Sequence, residues 1–145
     1  ASPILSCRYF TASHETLIWA RKDPKAKHTF NYEKMKKGNW SGDFLKKPDK
    51  QMRSVWAIGT PKNGEKKFGK HPTQKPVELL RRLVLSSTKP GEIVLDPFTG
   101  SSTTGIAAHM NDRKFVGIDT EKEYLELSKK RFLDLTREYG LYKSI

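Results

Sequence analysis

In residues 71–145, apolar positions alternate between the spacing of helices and that of strands. Leu80, Leu83 and Val84 recur at helical spacing, whereas residues 92–95 form a short apolar run typical of a buried parallel strand. The pattern predicts five elements: a helix over 77–85, a buried strand over 92–95, a short helix over 106–110, a second buried strand over 114–118 and a helix from Thr120 to Leu135. This order predicts the beginning of a doubly wound α/β sheet.

Turn and capping residues mark the ends of these elements. Pro76 suits the first turn of the first helix, and Lys-Pro-Gly at 89–91 ends that helix. Thr120, followed three residues later by Glu123, forms a capping box at the start of the last helix. Residues 96–105, between the first strand and the short helix, are dense in small and hydroxyl side chains. They are therefore expected to form the strand-to-helix turn where doubly wound folds bind ligands.

Residues 1–70 carry a weaker pattern. Residues 15–20, Glu-Thr-Leu-Ile-Trp-Ala, predict one strand because they are rich in β-branched and aromatic side chains. Residues 22–70 are basic and polar, with glycines and aromatic residues interleaved, and they predict a loop-rich basic insertion carried on the α/β body. We expect Trp40 and Trp56 to pack against that body. The chain then divides into a strand segment at 1–21, the insertion at 22–70 and an α/β part at 71–145.

The composition adds a strong charge asymmetry. The chain has 145 residues, a length typical of one domain, and a net charge of +12 from 28 basic and 16 acidic residues. Residues 1–70 hold 16 basic and 6 acidic residues, whereas residues 71–145 hold 12 and 10. The first part is therefore expected to face a polyanion, and the second to form a folded core of mixed charge. A uniformly basic structural protein fits this asymmetry less well.

The same sequence disfavours several locations and chemistries. No apolar run approaches the length of about 20 residues that crosses a bilayer. Residues 1–10 lack the basic start and long apolar stretch of a secretion signal. The single cysteine, Cys7, has no partner for a disulfide or for a cysteine-based metal cage. We therefore expect a cytoplasmic protein with no membrane anchor and no metal.

Three kinds of ligand compete for the glycine turn at 100–105. A nucleoside triphosphate loop continues with Lys and then Ser or Thr, but this chain continues with Ile-Ala. A dinucleotide loop needs glycine where Ser102 stands. A nucleoside carrying an amino-acid carboxylate needs fewer glycines, and Asp119 follows Asp96 by 23 residues, close to the spacing of about 20 for a ribose-binding acid. S-adenosylmethionine is therefore favoured, while a structural turn with a helix-capping Asp119 stays open.

Three sequence blocks resemble a known family. They are His-Pro-Thr-Gln-Lys-Pro at 71–76, Asp-Pro-Phe-Thr-Gly-Ser-Ser-Thr-Thr-Gly at 96–105 and Phe-Val-Gly-Ile-Asp at 115–119. In this order and spacing they resemble the β-group amino-methyltransferases of DNA, bacterial modification enzymes that mostly methylate adenine N6 and in some members cytosine N4. Residues 6–22 also resemble a strand segment of that family. The resemblance implies a Rossmann-like S-adenosylmethionine methyltransferase fold, incomplete in this chain, that acts in a restriction-modification or related system.

The resemblance also implies where the cofactor and the DNA bind. The residues that would line the S-adenosylmethionine site are Thr73, Gln74, Lys75, Asp96, Phe98, Gly100, Ser101, Ser102, Thr103 and Asp119. Among them, Asp119 would bind the ribose and Asp96 would be an acid of the pocket. The segment 22–70 would correspond to the target-recognition region, which faces double-stranded DNA.

Side chains of that region differ in the contacts that they can make with DNA. Lysines would neutralise phosphates, which gives salt-sensitive binding without sequence preference: Lys36, Lys37, Lys46, Lys47, Lys66 and Lys67. Asn39, Gln51 and Arg53 carry hydrogen-bonding groups suited to base edges. A solvated surface with no DNA contact is the alternative for each of them.

Two departures from the family pattern matter. Ser102 stands where the family usually has glycine, so its side chain is expected to crowd the cofactor. The catalytic tetrapeptide of the family, Asp, Asn or Ser followed by Pro-Pro and an aromatic residue, does not occur in the 145 residues. We therefore nominate no catalytic residue and expect the carboxyl-terminal part of a methyltransferase, inactive alone.

An upstream segment or a second chain would supply the missing tetrapeptide. The alternatives are a cytosine-N4 enzyme, a non-catalytic DNA-binding fragment and one half of a split enzyme. An incomplete sheet would also expose an edge and apolar faces, which suits a homodimer.

Overall fold

The computed structural model describes residue 10, residues 13–37, residue 40 and residues 49–138 of the chain. Its regular elements are, in chain order, helix α1 (Tyr32–Lys37), a 3-10 helix (Asn63–Lys66), helix α2 (Val77–Ser87), strand β1 (Ile93–Asp96), helix α3 (Thr103–His109), strand β2 (Lys114–Gly117) and helix α4 (Lys122–Glu138). From residue 77 onward, this order of elements is the predicted one. None of the helices in these ranges is long and apolar enough to cross a membrane.

Strands β1 and β2 form a parallel two-stranded sheet. The register places Asp96 opposite Gly117. Hydrogen bonding continues past the strand ends, because the Ile118 N–H donates to the Asp96 carbonyl and the Thr99 N–H donates to the Ile118 carbonyl, each over 2.9 Å. Parallel strands end at the same edge of a sheet, so the turn after β1 lies beside the residues that follow β2.

Small residues let helix α3 pack closely on this sheet. A Cβ atom at Gly105 would lie 2.6 Å from the Phe115 ring, so only glycine fits where α3 meets β2. Ala107 and Ala108 are fully buried, and Ile106 beside them is nearly so. Helix α2 packs along α3. The core therefore lies between these two helices and the inner face of the sheet, and it depends on short side chains along α3.

The prediction of two fully buried strands is wrong for one face of the sheet. Val94 and Phe115 lie on the α3 side and are half-buried, whereas Ile93 and Leu95 are 63% and 61% exposed. Val116, the register partner of Leu95, is also exposed. Within the described ranges, α3 packs on the sheet from one side only, so exposure alternates along each strand with a period of two.

Two of the three predicted helices begin a few residues away from their predicted positions. Helix α3 begins at Thr103, earlier than predicted, and α4 begins at Lys122, which leaves Thr120 two residues before the helix. Helix α2 begins as predicted, but its cap comes from elsewhere in the chain. A Glu65 carboxylate oxygen accepts the Val77 N–H over 2.9 Å. Local capping rules do not detect this contact because its partners lie 12 residues apart.

Residues 15–20 do not form the predicted strand. Within the part of the chain that the structure describes, the sheet consists of β1 and β2, and no strand pairs with this segment. Ile18 is 89% exposed, and the Trp19 ring packs against Phe30 with the ring centroids 5.3 Å apart. A β-branched and aromatic composition gives no strand here because a strand requires a neighbour to pair its backbone groups.

The described residues of the segment 22–70 are mostly irregular, in agreement with the loop-rich prediction, and they dock on α2. The Asn31 side-chain amide donates to two backbone carbonyls at the carboxyl end of α2, each over 2.7 Å. Arg82 of α2 is fully buried, and its guanidinium lies 5.2 Å from the centre of the Trp40 ring and 5.6 Å from that of Trp56. Both tryptophans therefore pack against the α/β body, as predicted.

Candidate functional site

Strand β1 ends in a carboxylate that organises the turn after it. One Asp96 oxygen accepts the Thr104 hydroxyl proton over 2.6 Å, and the other accepts the Phe98 N–H over 3.1 Å. Asp96 thereby joins the end of the strand to the first turn of α3. Its half-buried side chain shapes the turn in addition to any contact with a ligand.

A second carboxylate, Asp119, follows β2 and reaches the same turn. One oxygen accepts the Gly100 N–H over 2.7 Å, and the other accepts the Glu121 N–H over 2.9 Å. These two backbone hydrogen bonds, with that of Glu121 the stronger influence, hold the pKa of Asp119 below its usual value of 3.8. The carboxylate is therefore ionised at neutral pH and fixed in place. Its remaining lone pairs can accept hydrogen bonds from a ligand.

The backbone at Gly100 takes a left-handed conformation against a histidine ring. Its φ is +50°, and a Cβ there would lie 2.8 Å from His71 Nε2, so both the conformation and the space favour glycine. The His71 ring also stands edge-on to the Tyr124 ring of α4, with the centroids 4.2 Å apart. His71 therefore packs between the glycine turn and α4 and ties the first sequence block to the turn.

The three predicted cofactor residues after His71 differ in how freely they can meet a ligand. Thr73 is exposed, and its N–H donates to His71 Nδ1 over 3.3 Å. The Gln74 amide donates to a backbone carbonyl of the 3-10 helix over 2.9 Å, and its amide oxygen is buried with no partner among the described residues. The Lys75 ammonium pairs with the Glu15 carboxylate over 2.6 Å. Thr73 is therefore the most accessible of the three.

Ser102 is also left-handed, and its side chain points into the protein. Its φ is +57°, a conformation that is strained for a residue with a Cβ. The hydroxyl oxygen lies 3.3 Å from Thr99 Oγ1 and 2.6 Å from the position that a Cβ at Gly105 would take. The crowding expected from a side chain at Ser102 thus falls on the α3 side of the turn. The left-handed backbone also favours glycine over serine at this position.

Two further hydroxyls of the turn are buried against an arginine of α4. Arg131 Nη1 donates to the Ser101 carbonyl, to the Ser101 hydroxyl over 2.9 Å and to the Thr103 hydroxyl over 3.1 Å. All three residues are buried, and burial lowers the pKa of Arg131 from its usual value. On the same helix, the Ser128 hydroxyl lies 2.9 Å from the Gly100 carbonyl oxygen. Ser101 and Thr103 therefore present their hydroxyls to α4.

Four of the predicted cofactor residues do lie together at the carboxyl edge of the sheet. They are Asp96, Phe98, Gly100 and Asp119, linked by the hydrogen bonds described above. The Phe98 ring is 88% exposed. This edge therefore combines an accessible aromatic ring with an immobilised, ionised carboxylate.

A cavity of about 440 Å³ lies elsewhere, between β2 and α4. Residues of the turn, of β2 and of α4 line it: Thr99, Ser102, Phe115, Gly117, Lys122, Leu125, Glu126, Ser128 and Lys129. Of the predicted cofactor residues, only Ser102 is among them. The turn thus has two faces that a ligand can approach, the open edge with the carboxylates and this cavity.

The predicted DNA-contacting residues are spread over several segments. Three lie outside the described residues: Asn39, Lys46 and Lys47. The others belong to α1, to an irregular exposed segment and to the 3-10 helix with the residue after it: Lys36 and Lys37, Gln51 and Arg53, Lys66 and Lys67. Lys37 pairs with Glu33 over 3.3 Å, and Lys67 pairs with Asp134 of α4. These two ammonium groups are therefore partly neutralised within the protein.

Sequence reasoning missed the two residues of α4 that hold the turn, Ser128 and Arg131. Arg131 follows the buried Leu127 by four positions, so it lies on the buried face of the helix. A charged residue at an apolar position of a helix was the available signal. Its partners could not be named from the sequence because Ser101 lies 30 residues away.

Comparison with known proteins gives a consistent result. A family model described as DNA methylase matches residues 2–130. The chain is 52% identical over 141 residues to the type II methyltransferase M2.LlaDCHI of Lactococcus lactis subsp. cremoris. The aligned region covers 97% of this chain and 49% of that protein. It is 53% identical over 131 residues to the type II methyltransferase M2.DpnII of Streptococcus pneumoniae, and this aligned region covers 90% of this chain and 46% of that protein. The chain spans about half the length of the curated relatives that it matches.

A solved structure supports the fold. The crystal structure of an M1.HpyAVI–SAM complex superposes with a TM-score of 0.56 at 40% sequence identity, covering 74% of this chain and 45% of that one. This similarity confirms the Rossmann-like α/β fold class.

The left-handed backbone at Ser102 predicts that Ser102→Gly stabilises the chain. Glycine removes a backbone strain of about 1–2 kcal/mol and gives up one long hydrogen bond, so we expect the free energy of unfolding to rise by about 1 kcal/mol. Ser102→Ala is the matched control, because it keeps the strain and loses the hydroxyl, and it should lower stability. Urea unfolding followed by tryptophan fluorescence measures both. Equal stabilities of the two variants would contradict the assigned conformation.

Proposed function

Because the chain belongs to the DNA methylase family, whose model matches residues 2–130, we propose that it provides the cofactor-binding and DNA-facing part of an S-adenosylmethionine-dependent DNA methyltransferase. The relatives described above are type II methyltransferases, which supports a role in restriction-modification. The resemblance of the sequence blocks to enzymes that mostly methylate adenine N6 favours adenine as the base.

One observation carries the cofactor proposal, the hydrogen bond of 2.7 Å between the Gly100 N–H and Asp119. It fixes an ionised carboxylate at the carboxyl edge of a parallel sheet, the place where doubly wound folds bind nucleosides. A carboxylate there can accept hydrogen bonds from both ribose hydroxyls, and the exposed Phe98 ring offers an apolar surface to the rest of the nucleoside. This set of groups fits S-adenosylmethionine.

The remaining predicted residues take more distant parts in the proposed site. Thr73 and Lys75 would approach the polar end of the cofactor from the segment that His71 ties to the turn. Lys75 would then exchange its Glu15 partner for the cofactor carboxylate, since the ion pair is exposed and such pairs contribute little to stability.

S-adenosylmethionine supplies a methyl group on a sulfonium, which an exocyclic amine can attack. The residues of this chain contribute position, because they fix the nucleoside and face the DNA. The amine is hidden in a duplex, so the base must be flipped out of the helix to react. The tetrapeptide that would hold the flipped base is not among the 145 residues.

The charge of the insertion supports the DNA proposal. Residues 22–70 contribute most of the positive charge of the first half of the chain, and DNA presents a dense row of phosphates. Lys36 and Lys66 would neutralise phosphates. Arg53 is exposed, and its planar guanidinium would donate hydrogen bonds to the edge of a guanine base.

Cofactor binding is tested by Asp119→Asn. The variant loses the charge that would accept ribose hydroxyls, so we expect the dissociation constant for S-adenosylmethionine, measured by calorimetry on the full chain, to rise at least about tenfold. Asp112→Asn, the same change in an exposed turn, should leave binding unchanged.

The pH dependence of cofactor binding provides a second test. The pKa of Asp119 lies below 3.8, so the contribution of its carboxylate to cofactor binding should persist from pH 7 to pH 5 and fall only as more acidic solution protonates it. The absence of any binding by the wild-type chain would overturn the proposed function.

Methyl transfer is tested with and without the missing tetrapeptide. We expect the chain alone to transfer no labelled methyl group to DNA, because the group that holds the acceptor amine is absent from its sequence. Addition of a protein segment that carries the tetrapeptide should restore transfer. Chromatography of the digested DNA should show N6-methyladenine. Transfer by the chain alone would contradict the proposal, and N4-methylcytosine would contradict the choice of base.

DNA binding is tested through its dependence on salt. The double variant Lys36→Gln/Lys66→Gln should make the plot of log affinity against log salt concentration less steep. The magnitude of its slope should fall by about 0.9 for each phosphate that the protein no longer neutralises, equally for all DNA sequences. Lys89→Gln, an exposed lysine outside the insertion, is the control and should keep the wild-type slope. Fluorescence anisotropy with a labelled duplex measures the affinities. An unchanged slope in the double variant would remove these lysines from the DNA-facing surface.

A further inference from the structure

We infer that Arg131 is a positioning residue for the cofactor: it holds the glycine turn from the α4 side and uses the hydroxyls of Ser101 and Thr103 as anchors rather than as ligands. The identity of the cofactor in this inference rests on the proposed function. The anchoring of the turn by Arg131 rests on the contacts of α4 alone. It assigns a role to helix α4, which lies outside all three sequence blocks.

The hydrogen bonds that Arg131 makes with the described residues converge on the turn. One guanidinium nitrogen, Nη1, donates to the Ser101 carbonyl, the Ser101 hydroxyl and the Thr103 hydroxyl. The side chain is 5% exposed, and Ser101 and Thr103 are equally well buried. Hydroxyl oxygens that accept from a buried cation are directed away from solvent. Because Ser101 and Thr103 are also buried, their hydroxyls present almost no surface to a ligand at the open edge of the sheet.

The electrostatics of the site explain why this contact is stable. In the ranges that the structure describes, no carboxylate lies within ion-pair distance of Arg131, although Glu65 lies close enough to favour its charged form. A buried guanidinium without an ion pair requires polar acceptors around it. The turn provides those acceptors. The burial of Arg131 and the conformation of the turn therefore depend on each other.

A second contact from α4 acts on the neighbouring peptide. The Ser128 hydroxyl, three positions before Arg131, lies 2.9 Å from the Gly100 carbonyl oxygen and 2.8 Å from the Tyr124 carbonyl of its own helix, so it shares one proton between them. Gly100 is thus held on both sides, since its N–H binds Asp119 over 2.7 Å. The group proposed to bind ribose and the helix that carries Arg131 therefore meet at one residue, Gly100.

The consequence for the cofactor is preorganisation. The turn contains two left-handed residues, Gly100 and Ser102, and a free chain rarely holds both in that conformation. Contacts from α4 that fix the turn before the cofactor arrives reduce the conformational entropy cost of binding. Loss of Arg131 should therefore weaken cofactor binding although Arg131 does not touch the cofactor.

A double-mutant cycle distinguishes an anchor from a ligand. The variants are Arg131→Lys, Ser101→Ala and the two combined, each as the full chain, with the dissociation constant for S-adenosylmethionine measured by calorimetry well below the unfolding temperature. We expect each single variant to weaken binding, Arg131→Lys by about tenfold, and the double variant to bind no more weakly than Arg131→Lys. Lys130→Ala, the adjacent exposed cation, is the control and should bind like the wild type.

Losses that add in the double variant would show that the Ser101 hydroxyl contacts the cofactor directly, and they would overturn the inference. Wild-type affinity in Arg131→Lys would overturn it as well, because a residue that serves only global stability leaves the affinity of the folded chain unchanged.

Amide hydrogen exchange without any cofactor provides an independent readout. We expect Arg131→Lys to speed exchange at residues 99–104, with little change in β1 and β2, because the side chain constrains the turn itself. Unchanged exchange in the turn would overturn the role of Arg131. This result does not depend on cofactor binding, so a wild-type chain that binds no S-adenosylmethionine would refute the proposed function while the exchange data still decide what Arg131 does.

Discussion

The parallel pairing of β1 with β2 is the constraint on which the candidate site depends. Both strands end at one edge, so the turn after Asp96 meets Asp119, and the Gly100 N–H donates to that carboxylate over 2.7 Å. A shift of the register by one residue would separate Asp96 from Gly117 and exchange the two faces of the strand that moved. The apolar face that packs on α3 therefore fixes the same register that brings the two carboxylates together.

Buried arginines secure several junctions between the elements of the fold. Arg82 lies beneath the tryptophans that join the insertion to α2, and Arg131 lies beneath the glycine turn. A third, Arg113, binds the Thr88 hydroxyl over 2.9 Å and so connects the end of α2 to the start of β2. Each guanidinium joins two parts of the fold, and Arg113 does so through all three of its nitrogens, which suits its planar, multidentate geometry. A basic composition thus serves the fold as well as a polyanionic partner.

The sequence was most informative where a local pattern coincides with a tertiary contact. The order of elements from residue 77 follows from apolar periodicity, and Asp96 and Asp119 could be placed at strand ends by spacing alone. The strand at 15–20 failed because its pattern requires a neighbour that the described residues do not provide. Ser101 and Thr103 matched a ligand-binding pattern, but their surroundings depend on Arg131, which the sequence separates from Ser101 by 30 residues. Likewise, the cap of α2 comes from Glu65, outside the reach of any local rule.

The central claim is that a nucleoside binds at the open edge formed by Asp119, Gly100 and Phe98. Chemical-shift mapping of the isotopically labelled chain during titration with S-adenosylmethionine tests it directly. The largest shifts should occur at the Gly100 and Glu121 amides, which donate to Asp119, and Leu125 and Lys129 in the cavity between β2 and α4 should be unaffected. Shifts confined to that cavity, or none at the Gly100 and Glu121 amides, would contradict the claim.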